Sequence, residues 1–157
     1  FMESEQMYGD KMEVPEEEYL IELGKASIRR EGSDVTIVSF GKIIKEADKA
    51  AEELAKDGIE CEIIDLRTVR PIDYATVVES LKKTNRMVIL EEAWPLGNIS
   101  TEIIAHCQQN AFDYLDAPIL RINTADTPMA YAPTLVEEFL PNAGRVVSAV
   151  KKVLYKD

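Results

Sequence analysis

The sequence offers little with which to build a catalyst. Its 157 residues include one histidine, His106, and two cysteines, Cys61 and Cys107. His106 and Cys107 are neighbours on a predicted helix, where adjacent side chains point to different faces, so they make a poor nucleophile–base dyad. His106 is expected to be structural or exposed. Two cysteines and a lone histidine also lack zinc spacing, and no metal site is expected. Cys61 in a predicted strand and Cys107 in a predicted helix read as reduced core thiols. No G-x-G-x-x-G follows the first core strand, where the chain reads SFGKIIKE, and neither a P-loop nor a G-x-S-x-G appears. This speaks against a Rossmann dinucleotide turn, a phosphate cradle and a nucleophile elbow. No apolar run reaches the roughly 18 residues of a membrane span. The first residues are acidic rather than basic and then apolar, so no signal peptide is read in them. Positive charge is scarce: 18 Lys and Arg against 29 Asp and Glu give a net charge of -11. That excludes the basic face a nucleic acid needs and suits a basic protein partner.

What is present describes an ordinary globular domain, 46% hydrophobic and 30% charged. The chain is organised around Gly58–Asp73, GIECEIIDLRTVRPID. Ile59, Cys61, Ile63 and Ile64 predict a strand. Asp65, Arg67, Thr68 and Arg70 form a polar loop at its carboxyl end. Pro71 restricts Arg70 to an extended or turn conformation, and Asp73 stands where a new helix needs its N-cap. Ligands and partners usually meet an open α/β sheet at this end.

The rest follows in order. Residues 1–24 read as a connector, with Glu16, Glu17 and Glu18 as a solvated run. Phe1 is not an initiator methionine and FMESEQMYG starts abruptly, so a piece of a longer protein is expected. Ala26–Arg30 is a short alternating strand and Asp34–Phe40 a buried one. Ile43, Ile44, Ala47, Ala50, Ala51 and Leu54 recur at helical spacing up to Gly58. A helix is predicted near Tyr74–Lys82 and a strand over Arg86–Glu91. Asn98 or Ser100 caps a helix reaching Gln109, with Ile99, Ile103, Ile104 and Cys107 facing in. Ile119–Ile122 is the last strand, Thr134–Leu140 a short helix, and Arg145–Tyr155 a closing amphipathic helix. One strand, then strand–helix about four times, predicts an α/β fold: a three-layer, mostly parallel sheet of about five strands with helices on both faces. Ala26–Arg30 is the strand that could pair antiparallel at an edge.

Glu91 and Glu92 end a predicted strand beside Trp94, the right place for a general acid or base. The competing structural reading pairs them with Arg67 or Arg70 from the neighbouring loop. Asp65 also ends a strand, but a receiver-type phospho-acceptor needs an acidic pair after the first strand and a lysine after the last. Ser39-Phe40-Gly41 and ILRINTAD supply neither. Two loops say more. Tyr114–Pro118 carries Asp116, expected to be exposed just before a strand, and Asp126–Ala132 is stiffened by proline. Stiff loops suit docking because little entropy is lost on binding.

GIECEIIDLRTVRPID, EEAWP, FDYLDAP and TADTPMAYAP, in that order and spacing, resemble the C-terminal domain of pyruvate dehydrogenase beta subunits, in the transketolase superfamily. The resemblance implies that residues 1–24 are the end of a preceding pyrimidine-binding domain, FMESEQMYG being its last strand and exit, plus a linker. Residues 25–157 are then the transketolase-type domain. It implies an enzyme that uses thiamine diphosphate and Mg²⁺ to decarboxylate pyruvate and acetylate the lipoyl group of dihydrolipoyl acetyltransferase, between glycolysis and acetyl-CoA biosynthesis. The cofactor would lie between the alpha subunit and the other half of beta, so this stretch is expected to carry no catalytic, cofactor-binding or metal residue and no activity alone. The implied partners are the alpha subunit and a second beta subunit in an alpha2-beta2 tetramer, and the basic subunit-binding domain of the acetyltransferase. Asp116, in LDAP, and the C-terminal end at Asp157 match the positions that meet that domain. The implied setting is the cytoplasm of a bacterial-type source or the mitochondrial matrix of a eukaryotic one. Ala93 and Ala130 depart from the glycine and proline common in pyruvate-type relatives, while Trp94-Pro95 favours pyruvate. The alternatives are the same domain of a branched-chain 2-oxo acid or acetoin dehydrogenase or of deoxyxylulose-phosphate synthase, and, in another class, a free-standing flavodoxin-like ligand-binding or signalling domain.

Overall fold

Five apolar or small residues in a row, Val35–Ser39, are all buried and form β2, the middle strand of the sheet. A computed structural model describes residues 1–156 of the chain. The remaining strands are β1 (Ser27–Arg30), β3 (Cys61–Asp65), β4 (Met87–Leu90) and β5 (Leu120–Ile122). The helices are α1 (Ile44–Lys56), α2 (Tyr74–Thr84), α3 (Ile99–Asn110), α4 (Pro133–Phe139) and α5 (Ala143–Val153). The strand order is β1-β3-β2-β4-β5. All neighbours are parallel except β1, which runs antiparallel along β3 at the edge.

A strand buried on both faces needs apolar residues at successive positions, and β2 feeds two cores. Val35 and Ile37 pack with Ile63, Leu90 and Ile122 against α1 and α5, including Ala47, Leu54, Val146 and Val150. Val38 packs with Ile64 and Ile89 against α2 and α3, including Val77, Leu81, Ile103 and Cys107. Three layers result, as the alternation of strand and helix predicts. The second face also holds polar groups. The Thr36 hydroxyl lies 2.6 Å from that of Ser80 and 2.7 Å from that of Thr84. Glu62, 2% exposed, meets the Lys83 ammonium at 2.5 Å.

The predicted caps hold. Asp73 Oδ1 accepts the Thr76 N–H at 3.2 Å and starts α2. Asp73 Oδ2 accepts the Ala26 N–H at 3.0 Å, which ties the edge strand to the same helix start. Burial works to raise this carboxyl's pKa, but the hydrogen bonds from Ala26 and Thr76 outweigh it and hold it below the usual carboxylate value. Of the two candidates for starting α3, Asn98 is the N-cap, accepting the Thr101 N–H at 3.0 Å. The expected strand in FMESEQMYG does not form: Glu5–Met7 is one 3-10 turn without a buried residue. A strand needs a neighbour for its backbone groups, and the sheet ends at β1 and β5.

Candidate functional site

Exposed side chains with binding potential gather at the two ends of the sheet. At the carboxyl end, the turn after β4 runs Glu91-Glu92-Ala93-Trp94-Pro95. Glu91 is 4% exposed, and both of its oxygens are committed. Oε1 accepts the Ile99 N–H at 3.1 Å and Oε2 the Ser100 N–H at 3.0 Å. A carboxylate at the first amides of α3 satisfies donors the helix leaves unpaired and meets the positive end of its dipole. Glu91 is thus the clamp between β4 and α3, not a free acid or base. Glu92 pairs with Lys42 at 3.1 Å. The expected partners Arg67 and Arg70 are wrong for both carboxylates. β2 lies between β3 and β4, so the loop after β3 is not the neighbour of the turn after β4.

Further hydrogen bonds fix this end. Trp94 Nε1 donates to the Thr127 carbonyl at 3.1 Å, joining the two proline-marked loops. Arg121 donates to the Pro95 carbonyl at 2.5 Å and the Thr101 hydroxyl at 2.9 Å. The side chains of Asn123 and Thr124, just beyond β5, are buried and have no hydrogen-bond partner among the described residues.

The donor set does not fit a metal–diphosphate group. Among the described residues, no three His, Cys, Asp or Glu side chains converge. His106 stacks on Tyr74 with ring centroids 3.9 Å apart and forms no dyad with Cys107. Both thiols are buried and free, and burial pushes Cys61 up to about 12 and Cys107 up to about 11. Neither supplies thiolate near neutrality. No helix among the described residues is long and apolar enough to cross a membrane.

At the amino end, Asp116 stands just before β5 with its side chain 55% exposed. Its carboxylate meets the Arg86 guanidinium at 3.3 Å, and its carbonyl accepts the Tyr155 hydroxyl at 3.2 Å. Beside it lies a hollow of about 420 Å³ lined by Ile104, Phe112, Leu115, Ala117 and Tyr155. Phe112 and Tyr155 are 59% and 72% exposed. The surroundings are not uniformly acidic, because Lys151, Lys152 and Lys156 line the next hollow. Reading the sequence gave Asp116 but missed Phe112, Tyr155 and Arg86, which come from three separate elements. An aromatic beside the LDAP turn was the one available signal. Asp157 lies outside the described residues.

Comparison with known proteins completes the picture. Residues 24–146 match the family described as "Transketolase, C-terminal domain". The chain is 52% identical over 157 residues to the pyruvate dehydrogenase E1 component subunit beta of Rhizobium meliloti, covering 99% of this chain and 34% of that one. It is 47% identical to the mitochondrial counterpart from Dictyostelium discoideum, covering all of this chain and 45% of that one. It is 44% identical to the beta subunit of acetoin:2,6-dichlorophenolindophenol oxidoreductase from Bacillus subtilis, covering 98% of this chain and 45% of that one. The chain therefore spans less than half the length of these relatives. Among solved structures, a split-gene transketolase described as an inactive beta4 tetramer superposes with a TM-score of 0.78 at 29% identity, over 86% of this chain and 44% of that one. A 2-oxoglutarate:ferredoxin oxidoreductase, at TM-score 0.53 and 12% identity over 83% of this chain and 19% of that one, shares the fold alone. The chain belongs to the family of transketolase C-terminal domains, alongside those of pyruvate dehydrogenase beta subunits.

Proposed function

We propose that this chain is the C-terminal part of the beta subunit of a thiamine diphosphate-dependent pyruvate dehydrogenase, serving assembly and docking rather than the chemical step. The observation that carries this reading is 52% identity over 99% of the chain to a pyruvate dehydrogenase beta subunit. In this reading residues 1–24 leave a preceding pyrimidine-binding domain and residues 25–157 form the assembly domain. The cofactor and Mg²⁺ lie outside this stretch, between the alpha subunit and the rest of beta. When bound, the cofactor supplies carbanion stabilisation for 2-oxo acid decarboxylation. No step is assigned to the residues here, since their donor set does not fit it.

These residues hold and orient. The Glu91 clamp and the Trp94–Thr127 bond stiffen the carboxyl end. At the amino end, Asp116 offers a carboxylate to the basic subunit-binding domain of dihydrolipoyl acetyltransferase, whose lipoyl group takes the acetyl unit. Phe112 and Tyr155 supply apolar area beside it. The net charge of -11 steers a basic partner over distance, while Asp116 and the aromatics set the contact. The working assembly is alpha2-beta2, in a bacterial cytoplasm or a mitochondrial matrix. A second reading, an acetoin-type dehydrogenase subunit, is favoured by the 44% identity to the Bacillus subtilis protein. The test is turnover of pyruvate, branched-chain 2-oxo acids and acetoin by the complete beta subunit assembled with its alpha subunit and cofactor. Preference for pyruvate supports the first reading, and preference for acetoin replaces it with the second. An assembled, cofactor-loaded complex that turns over none of them refutes both.

A further inference from the structure

The chain has seven arginines, and five of their side chains are held in place. Arg29 pairs with Asp48, Arg30 with Glu60 and Arg86 with Asp116. Arg121 donates to the Pro95 carbonyl and Arg145 to the Asn123 carbonyl. The two left are Arg67 and Arg70. Both are exposed, and neither side chain makes an ion pair or hydrogen bond among the described residues. They stand three positions apart on one loop, at the carboxyl end of β3. The carboxylates expected to neutralise them, Glu91 and Glu92, are taken by the start of α3 and by Lys42.

The loop that carries them is fixed. Asp65 Oδ1 accepts the Arg67 N–H at 3.1 Å, and the Thr68 hydroxyl accepts the Gly24 N–H at 3.1 Å. Gly24 packs so close that a Cβ there would lie 2.9 Å from Pro71 Cγ. Arg67 itself sits at φ 55, in the left-handed region that a side chain disfavours. Backbone held against its own preference gathers at sites that bind. Between the arginines Val69 is 38% exposed, so the loop presents two guanidiniums around one apolar group. Arginine beside exposed apolar area on a fixed frame has the character of an interface. The hollows at the two ends of the sheet include neither arginine. That suits a loop entering a partner's surface better than one enclosing a small anion. A guanidinium fork matches a carboxylate through two parallel hydrogen bonds, which makes the partner acidic. Glu18 and Glu22 lie shortly before Gly24 in the connector, yet neither pairs with the loop.

We infer that Arg67 and Arg70 anchor an acidic segment of another chain, each guanidinium taking one carboxylate with Val69 packed between them. This rests on the reading of the chain as part of a beta subunit that works in a larger assembly. A basic domain is repelled at this loop, so the surface is distinct from the one around Asp116.

The test uses the complete beta subunit assembled with its alpha subunit and the acetyltransferase. Arg67→Lys and Arg70→Lys each place a primary amine on the loop, which a carbodiimide joins to a carboxylate in contact with it. The expected products link position 67 or 70 to an Asp or Glu of another chain. Co-assembly of isotope-labelled and unlabelled beta tells a second beta from the same chain. Links confined to the same chain, the residue 10–24 connector included, overturn the inference, as does the absence of any link. A second variant separates binding from support of the fold. Arg67→Asn removes the guanidinium and tolerates the left-handed conformation. Its unfolding midpoint is expected to hold or rise, while association with the linked chain weakens at least about tenfold, the scale of a lost charge contact. A lower midpoint or unchanged association overturns the inference. Pyruvate turnover by the same sample keeps the two ideas apart: activity without the inter-chain link sinks only this inference, and the link without activity sinks only the functional reading.

Discussion

Asp116, which lines the amino-end hollow, forms an ion pair with Arg86 at 3.3 Å. The Arg86 Nε also donates to the Val153 carbonyl at 3.1 Å, so the guanidinium is pinned between the start of β4 and the end of α5. The carboxylate that the proposed docking would use is therefore already half satisfied. An incoming cation must share it or displace Arg86. Removing the competitor frees Asp116 at the cost of one carbonyl bond, about 1 kcal/mol of stability. Arg86→Gln is expected to bind the acetyltransferase's subunit-binding domain as tightly as the parent, or tighter, in calorimetry. A tenfold or greater loss of affinity would show that Arg86 itself makes the contact.

Glu91 carries the junction between β4 and α3. Glu91→Ala strands two amides at the buried start of a helix and is expected to lower unfolding stability by about 3 kcal/mol, the scale of bonds to a charged acceptor. Glu91→Gln keeps one acceptor oxygen and should lose roughly half as much. Urea unfolding midpoints measure both. If Ala and Gln cost the same, or neither costs anything, the clamp is not what holds α3. The complete enzyme carrying Glu91→Gln should retain turnover, since this carboxylate moves no proton.

Gly32 approaches the backbone of β3 so closely that a Cβ there would lie 2.2 Å from the Cys61 carbonyl carbon and the Glu62 nitrogen. Backbone on both sides leaves no flexible group to yield. Gly32→Ala is expected to cost about 3 kcal/mol or more and to loosen β1 first. An unchanged melting temperature would contradict the packing described.

The buried thiols give a pH prediction with a definite sign. Folding raises both pKa values above the ordinary 9.0, to about 12 for Cys61 and about 11 for Cys107. The native state then favours the protonated thiols, and their contribution is complete below pH 9. It declines as the unfolded chain ionises above that and is gone once the pH passes the folded values. Neither thiol should react with an alkylating reagent at pH 7.5 until denaturant unfolds the chain. Rapid labelling of either in the native protein would place it outside the core.

The fold was legible because its signals are local. The unbroken apolar or small run of β2, the spacing of Ile44, Ala47, Ala51 and Leu54, and the caps Asp73 and Asn98 each name one element through chemistry within a few residues of it. The partners of Glu91 and Glu92 were not legible, because they depend on strand order. Consecutive β3 and β4 look like neighbours in sequence, yet β2 separates them. Asp116 could be read from its motif, whereas Arg86 and Tyr155 converge on it only through the packing of β4 and α5. The strand expected in FMESEQMYG illustrates the same limit, since an extended segment becomes a strand only where a neighbour accepts its hydrogen bonds.

Charge reversal at Asp116 separates docking from chemistry most directly. The complete alpha–beta assembly carrying Asp116→Arg is titrated with the subunit-binding domain at low and physiological salt, and its pyruvate decarboxylation is followed with an artificial electron acceptor. The account predicts at least about a tenfold loss of affinity, the scale of one reversed charge contact, with decarboxylation unchanged. Unaltered affinity at both salt levels, or decarboxylation falling in step with binding, would contradict it.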